Sequence, residues 1–481
     1  MKHTILKSAL AAFLLVPVGA AFAQGDTAAA PAAKVEYKNR APVAKTTLRV
    51  RFPRPKHYIL PNGLRLLVLE NHKLPTISIS MSILAGSFFE PAEKTGLASM
   101  TANMLDEGTK TRTSEGIAAA VDRLGGSLSA SADQGGERAG VSSSGLSRDT
   151  DALLALMRDI VRNPTFPQSQ FVKIQRRTVA GLERAQTDPG TLADVQMMKA
   201  VYGDTPPARV LPTVDQVKAL TTADLTAFHA AYYRPDRTIV AVVGDVKADV
   251  MAAKIKKAFG DWKKGTEPLK AGLPAYAPQT KQRIFVVDRP GSVQTAIRLG
   301  NLAITRKSPD YVPFAVMNRI LGGGSSITSR LGQNIREAHG YTYDVRSTLD
   351  APRYLGYWGA QTDVRNAVTQ DTVKQFLYEF DRIVKQPVST RELANAKRGM
   401  IGSFARALES PETILGRALD LVEFGLPADY WDKYPAAIDK VTKGDVQRVA
   451  AKYIRNLQIV AVGEKAAVSE ALKPYGEIET P

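Results

Sequence analysis

One strand–helix unit occurs twice in this chain, and it narrows the possible architectures more than any other feature. Ala219-Leu220-Thr221-Thr222-Ala223-Asp224-Leu225 leads to Tyr232 and then to Thr238-Ile239-Val240-Ala241-Val242-Val243-Gly244-Asp245. Lys440-Val441-Thr442-Lys443-Gly444-Asp445-Val446 leads to Tyr453 and then to Gln458-Ile459-Val460-Ala461-Val462-Gly463-Glu464. Each copy reads as a Thr-capped amphipathic helix, a turn, and a buried β-branched strand closed by Gly and an acid. The copies stand about 220 residues apart, too far for a solenoid repeat and close to the length of a whole domain. A duplicated domain is the economical explanation.

The rest of the chain divides accordingly. Residues 265–281, rich in Gly, Pro and Lys, read as a linker between one domain over 57–264 and a second over 282–481. Both open on paired apolar runs. Leu64–Leu69 and Thr76–Ile83 read as a hairpin, repeated by Arg283–Asp288 and Val293–Leu299. Long helical patterns follow, among them Thr150–Val161 and Thr369–Val384. Strands grouped with runs of helices predict an α+β fold: two homologous domains, each a mainly antiparallel sheet with helices packed on one face.

Composition removes several functions. The chain has 481 residues and no cysteine, so thiolate metal sites, iron–sulfur clusters, disulfides and cysteine nucleophiles are excluded. The formal charge of +17 raises the question of a nucleic-acid partner. Two of those charges, Lys2 and Lys7, sit ahead of the apolar run Ala9–Val18 and the small-x-small sequence Ala21-Phe22-Ala23, the pattern of a cleaved secretory signal peptide over residues 1–23. A periplasmic location is the expectation. Residues 24–56 then carry Lys34, Lys38, Arg40, Lys45, Arg49, Arg51, Arg54 and Lys56 against Asp26 and Glu36, a basic Ala/Pro-rich arm suited to peripheral contact with a partner or an anionic membrane surface. The remaining body is only mildly basic and has no aromatic-interleaved basic stretch, so no nucleic acid is expected.

The run PNGLRLLVLEN…PTISISMSILAGSFFEPAEKTGLASMTANMLDEGT resembles the N-terminal domain of pitrilysin-type zinc peptidases, the group of insulin-degrading enzyme and the mitochondrial processing peptidase. The resemblance extends over nearly all of 57–481, including the Tyr232-Tyr233-Arg234-Pro235 turn, and implies two homologous α+β domains. Active members carry H-x-x-E-H on a helix: two imidazoles four apart hold Zn²⁺ and the Glu between them serves as general base. Here the matching helix lies within Gly96–Thr109, the histidine positions fall on Ser99 and Asn103, and the base position falls on Ala102. The third ligand, a downstream Glu, would fall near Thr178-Val179-Ala180-Gly181, where no acid occurs; Glu183 is out of register. Beyond the signal segment, His57, His72, His229 and His339 are dispersed, none at helical-ligand spacing from another. The expectation is no metal in this chain, with zinc in a partner subunit.

The second domain is different. Leu321-Gly322-Gly323-Gly324-Ser325-Ser326 is followed by Ile335-Arg336-Glu337-Ala338-His339-Gly340-Tyr341-Thr342-Tyr343-Asp344-Val345. The glycines lack the G-K-[ST] of a phosphate loop and read either as a flexible helix connection or as a mobile segment beside a substrate cavity. The pattern I-R-E-x-x-G-x-x-Y-x-V resembles the Arg/Tyr element with which pitrilysin-type enzymes reach the substrate carbonyl from the half opposite the zinc. By that resemblance Arg336 and Tyr343 are the catalytic candidates, acting in trans, with Tyr341 the alternative phenol; on the mobile-segment reading Gly322, Gly323 and Gly324, with Tyr341, are the substrate-binding candidates. A guanidinium and a phenol can fix a peptide backbone and stabilise a developing oxyanion.

Zinc ligands absent and Arg/Tyr present imply the non-zinc subunit of a two-chain peptidase. Its partner would be a homologous H-x-x-E-H subunit and its substrate an unfolded peptide added along a sheet edge. Alone, such a chain would not cleave peptides. The alternative is a non-enzymatic peptide-binding or scaffold subunit of the same fold.

Overall fold

The computed structural model describes residues 50–265, 276–324 and 327–480. The signal segment, the arm up to residue 49 and the heart of the linker lie outside the described residues. In the first half the elements run β1 (Lys56–Ile59), β2 (Arg65–Glu70), β3 (Thr76–Ile83), α1 (Leu97–Asn103), α2 (Ser114–Arg123), β4 (Ser127–Ala132) and β5 (Ala139–Leu146). Then come α3 (Thr150–Arg162), α4 (Gln168–Ala185), α5 (Pro189–Tyr202), α6 (Val214–Ala219), α7 (Thr222–Tyr232), β6 (Thr238–Gly244) and α8 (Ala248–Phe259). The second half has β7 (Arg283–Asp288), β8 (Gln294–Leu302), α9 (Tyr311–Leu321), a π-helix (Gly332–Ala338), β9 (Val345–Leu349) and β10 (Tyr357–Arg365). It closes with α10 (Thr369–Lys385), α11 (Thr390–Ala407), α12 (Pro411–Glu423), α13 (Tyr430–Lys440), α14 (Lys443–Tyr453), β11 (Gln458–Gly463), α15 (Lys465–Leu472) and β12 (Ile478–Glu479).

The duplication is written into the caps. Thr221 and Asp224 form a capping box at α7, and Thr442 and Asp445 form the same box at α14. Asp188 caps α5 with Pro189 in its first turn, and Ser410 caps α12 with Pro411 in its own. In each case a side-chain oxygen takes a backbone N–H that the helix start leaves without a partner.

Each half builds a six-stranded sheet, in the orders β1-β2-β6-β3-β5-β4 and β12-β7-β11-β8-β10-β9. The fold is α+β, with one parallel pair in the first sheet and two in the second among otherwise antiparallel ones. The expected hairpins do not form. β6 lies between β2 and β3, parallel to the first and antiparallel to the second, and β11 separates β7 from β8 in the same way. Burial explains the insertion: every residue of β6 and of β11 is buried, which suits a strand with neighbours on both edges and cover on both faces.

Each half packs its own helices on one face of its sheet, as expected, and the opposite face is covered from the other half of the chain. One face of the first sheet (Leu66, Val68, Ile77, Ile79, Val240, Val242) packs on its own half's helices. The other (Leu67, Leu69, Ile239, Ala241, Val243) packs on Ile414, Leu415, Ala418 and Leu421 of α12, from the second half. Reciprocally, Phe285, Ala296, Val460 and Val462 of the second sheet pack on Ala193, Met197, Val201 and Tyr202, from α5 of the first half. The equivalent helices of the two halves thus each cap the other's sheet, and the described residues belong to one unit. Ion pairs cross the same boundary: Arg353 donates to Glu137 (2.5 and 3.0 Å), and Arg138 pairs with Glu423 (3.2 Å).

The end of the basic arm also departs from expectation. β1 starts at Lys56, inside the segment read as arm. Phe52 is buried in the α12 layer, its N–H donates to Asp432 (2.8 Å), and Arg54 pairs with the same carboxylate (2.5 Å).

Candidate functional site

The position corresponding to a zinc motif is a short, well-anchored helix. Gly96, in the left-handed region (φ 96°), precedes α1, and Glu90 accepts the N–H groups of Gly96 (2.9 Å) and Ala98 (3.0 Å). Burial pushes the Glu90 carboxyl up to about 7, against the pull of those N–H donors and of Arg209. The helix stops at Asn103, well short of Thr109. Ser99 and Asn103 are half-buried and Ala102 is fully buried, its methyl group facing core where a general base would have to meet water. α4 packs beside α1 with half-buried Thr178, Val179, Ala180 and Gly181, and Glu183 is exposed. A hydroxyl, a methyl and an amide supply neither imidazole nor carboxylate, so this donor set does not fit zinc. Among the described residues, no group of three or more His, Asp or Glu side chains is placed to hold a metal ion. The histidines serve locally: His229 meets the Val161 carbonyl (2.8 Å) and stacks on Tyr233, and His72 meets Asp245 (2.6 Å).

In the second half, Arg336 and Tyr343 come together. The guanidinium carbon of Arg336 lies 4.5 Å from the centroid of the Tyr343 ring, within cation–π range. The backbone brings this about in three steps. Arg336 sits on the π-helix Gly332–Ala338, a rare element concentrated at functional positions. Gly340 then takes φ 62° and turns the chain out of the helix, a conformation that costs a side-chain-bearing residue energy. Finally Thr342 Oγ1 donates to the carbonyls of Asp344 and Asp363 (3.0 Å each), which fixes the loop just before the edge strand β9. Tyr343 is left 83% exposed, while Arg336 pairs with Glu337 at 3.3 Å. Tyr341 instead is half-buried, packing on the second core and against His339 (5.0 Å between ring centroids), which leaves Tyr343 as the more exposed phenol. Beside the pair is an open hollow of about 480 Å³, lined by Tyr341, Tyr343, Gln294, Gln361, Arg346 and Arg365 among others.

The three glycines are held by packing. Gly322 is buried, and a Cβ there would lie 2.7 Å from the backbone nitrogen of Ser347; one on Gly323 would lie 2.3 Å from the Asn318 amide. They fit against a buried polar network that the sequence reading missed. Asn318 Oδ1 accepts from Ser347 Oγ (2.7 Å) and Trp358 Nε1 (2.9 Å), tying the end of α9 to β9 and β10. The only local sign of it is a polar residue within an apolar helix stripe. The boundary ion pairs Glu137–Arg353 and Arg138–Glu423 carried no local signal, their members being more than two hundred residues apart.

Fold and site together define a two-domain α+β protein laid out like a pitrilysin-type peptidase, without zinc-binding chemistry at its motif position and with an exposed Arg/Tyr pair in its second half. Sequence families agree. Residues 65–211 match the family "Insulinase (Peptidase family M16)", and residues 219–400 match "Peptidase M16 inactive domain". An uncharacterized zinc protease of Mycobacterium leprae is 30% identical over 60% of this chain and 65% of its own length. A Helicobacter pylori protein described as a non-peptidase homolog is 24% identical over 75% of this chain and 82% of its own. The crystal structure of a peptidase M16 inactive domain from Pseudomonas fluorescens superposes with a TM-score of 0.80 at 28% identity, covering 85% of this chain and 98% of that one. The chain belongs to the insulinase (M16) peptidase family, and within it is a non-catalytic member.

Proposed function

We propose that this chain is the non-zinc subunit of a two-chain peptidase, binding unfolded peptide and presenting Arg336 and Tyr343 to its backbone. The observation that carries the reading is the stacking of Arg336 on an exposed Tyr343 at the start of an edge strand. An exposed edge offers main-chain hydrogen bonds to an extended peptide. Arg336 supplies fixed positive charge and Tyr343 a directional O–H, both suited to a substrate carbonyl as negative charge develops on its oxygen. The water-activating metal belongs to the homologous H-x-x-E-H partner; this chain's part is to hold and polarise the carbonyl. Tyr341 lines the hollow beside Tyr343, and Gly322–Gly324 are kept in the proposal as substrate-binding positions. The exported, periplasmic setting read from residues 1–23 is part of the proposal.

The test is reconstitution with an H-x-x-E-H partner subunit. The mixture should cleave an unfolded peptide where neither chain does so alone. Arg336→Ala or Tyr343→Phe should lower kcat/KM by roughly 10²–10³, the usual effect of removing one such donor. Unchanged turnover in both variants refutes the Arg/Tyr role. If the variants bind peptide as wild type does and the mixture never cleaves, the chain is instead a scaffold subunit.

A further inference from the structure

A strongly charged cavity lies away from the Arg/Tyr pair. It is a cleft of about 640 Å³ in the second half, bounded by the end of α9, the π-helix, α10 and the first turn of α11. Four guanidinium groups line it, from Arg319, Arg330, Arg382 and Arg391, against two carboxylates, Glu379 and Glu392. Both carboxylates are engaged. Glu392 takes Arg330 Nε (2.7 Å) and Nη2 (3.3 Å) and the Ser389 N–H (2.8 Å), and the buried Glu379 takes Arg382 (3.2 Å) and the Asn334 amide (3.0 Å). Burial on its own would raise the Glu392 carboxyl, yet Arg330 and Ser389 hold it down at about 2, so it stays fully charged and committed.

Arg319 and Arg391 have no carboxylate partner among the described residues, so two positive charges face the cleft uncompensated. Two further observations point the same way. Arg330 is only 7% exposed, and its Nη1 is buried without a hydrogen-bond partner. The first turn of α11, an 18-residue helix, adds the positive end of its dipole to the same wall. With Arg330 and Arg382 already paired to Glu392 and Glu379, a net charge of two remains on the cleft wall, and guanidinium groups are the donors that match a planar or tetrahedral oxyanion. The volume falls in the range of small-ligand sites and exceeds what a bare ion needs.

We infer that this cleft binds a small organic ligand bearing a dianionic oxyanion, either a phosphoryl group or a dicarboxylate. Arg319 and Arg391 neutralise it, beside the buried Arg330 guanidinium. The ligand would also touch Gln333 and Asn334, on the π-helix that carries Arg336.

The experiment is calorimetric titration of the full chain with inorganic phosphate and, separately, with succinate, in a buffer free of both. Saturable one-to-one binding of at least one anion is expected, and which anion binds identifies the headgroup chemistry. The double variant Arg319→Gln/Arg391→Gln should weaken binding at least about tenfold, the loss of charge-assisted bonds. Among the described residues neither side chain holds an ion pair, so the fold should persist. Asn395→Asp, which puts a negative charge at the cleft, gives an independent second arm with the same expected direction. Arg148→Gln, on an exposed arginine of the first half, should bind as wild type does. No saturable binding of either anion overturns the inference. So does binding that both cleft variants leave unchanged, or that Arg148→Gln weakens equally.

Discussion

Leu415→Ala is a direct probe of the exchange of cover between the two halves. Leu415 is 4% exposed and belongs to α12, yet its neighbours in the layer include Leu67 and Leu69 of β2 and Ile239, Ala241 and Val243 of β6. Truncating a buried Leu costs about 2–5 kcal/mol, the transfer of the lost methyls plus the cavity left behind. Taking about 3 kcal/mol, the equilibrium for opening this layer rises roughly a hundredfold, because each 1.4 kcal/mol is a factor of ten. The location of that loss is what matters. If α12 caps the first sheet, amide protection should fall in β6, which is far away in sequence, as much as in α12 itself. Hydrogen–deuterium exchange read by mass spectrometry, peptide by peptide, measures this. The mirror substitution, Met197→Ala in α5, should expose β8 and β11 while sparing β6. Loss confined to residues 390–440 in the first variant, with β6 at wild-type protection, would refute the reciprocal arrangement.

Further outcomes follow from particular residues. Glu90 has a folded-state pKa raised from 4.5 to about 7 by burial, so its contribution is fully present below about pH 4.5 and is lost as pH rises through 7; that amounts to about 3 kcal/mol. Urea midpoints should therefore fall between pH 5 and pH 8 in the wild type, and fall less in Glu90→Gln. Gly322→Ala should destabilise more than Gly340→Ala: the first forces a Cβ to 2.7 Å from Ser347 N and Oγ, at about 1–3 kcal/mol for overpacking. The second meets open space and bears only the left-handed strain, about 1–2 kcal/mol; chemical denaturation of the two variants orders them. Dialysis against zinc followed by atomic absorption should leave the chain with substoichiometric metal, and one zinc per chain would overturn the account of Ser99, Ala102 and Asn103.

What could be read from the sequence was local, and what could not was pairing at a distance. Thr221 with Asp224 and Thr442 with Asp445 announce two helix starts because a capping box closes within four residues, and the β-branched runs after them are strands in any context. Where those strands insert is a different matter. Leu64–Leu69 and Thr76–Ile83 show the same alternation whether they pair directly or admit β6 between them, and β6 arrives from far downstream. The amphipathic stripe of α12 likewise says that one face is buried without saying on which sheet. Arg336 and Tyr343 could be named from a motif, but a π-helix and a left-handed glycine bring them into contact, and neither has a hydrophobic period. The arginine cleft collects residues from four separate elements, each an ordinary surface cation when read alone.

The two halves of the candidate site answer to different energetics, and this is why the chain can lack one without losing the other. Position 102 is fully buried. A glutamate there, with no metal and no imidazole beside it, would be an unpaired charge in a core, at a penalty of several kcal/mol. Alanine removes that penalty, so with Ser99 and Asn103 in the ligand positions a methyl is the residue the fold favours. Tyr343 sits under the opposite pressure. At 83% exposure its ring gains little from burial, and its contact with Arg336 is worth only about 0.5–1 kcal/mol in solvent. Folding would be served as well by a smaller polar side chain. A large aromatic held in the open, with a guanidinium on its face and an edge strand beginning beside it, has more to offer a second molecule than it has to offer its own fold.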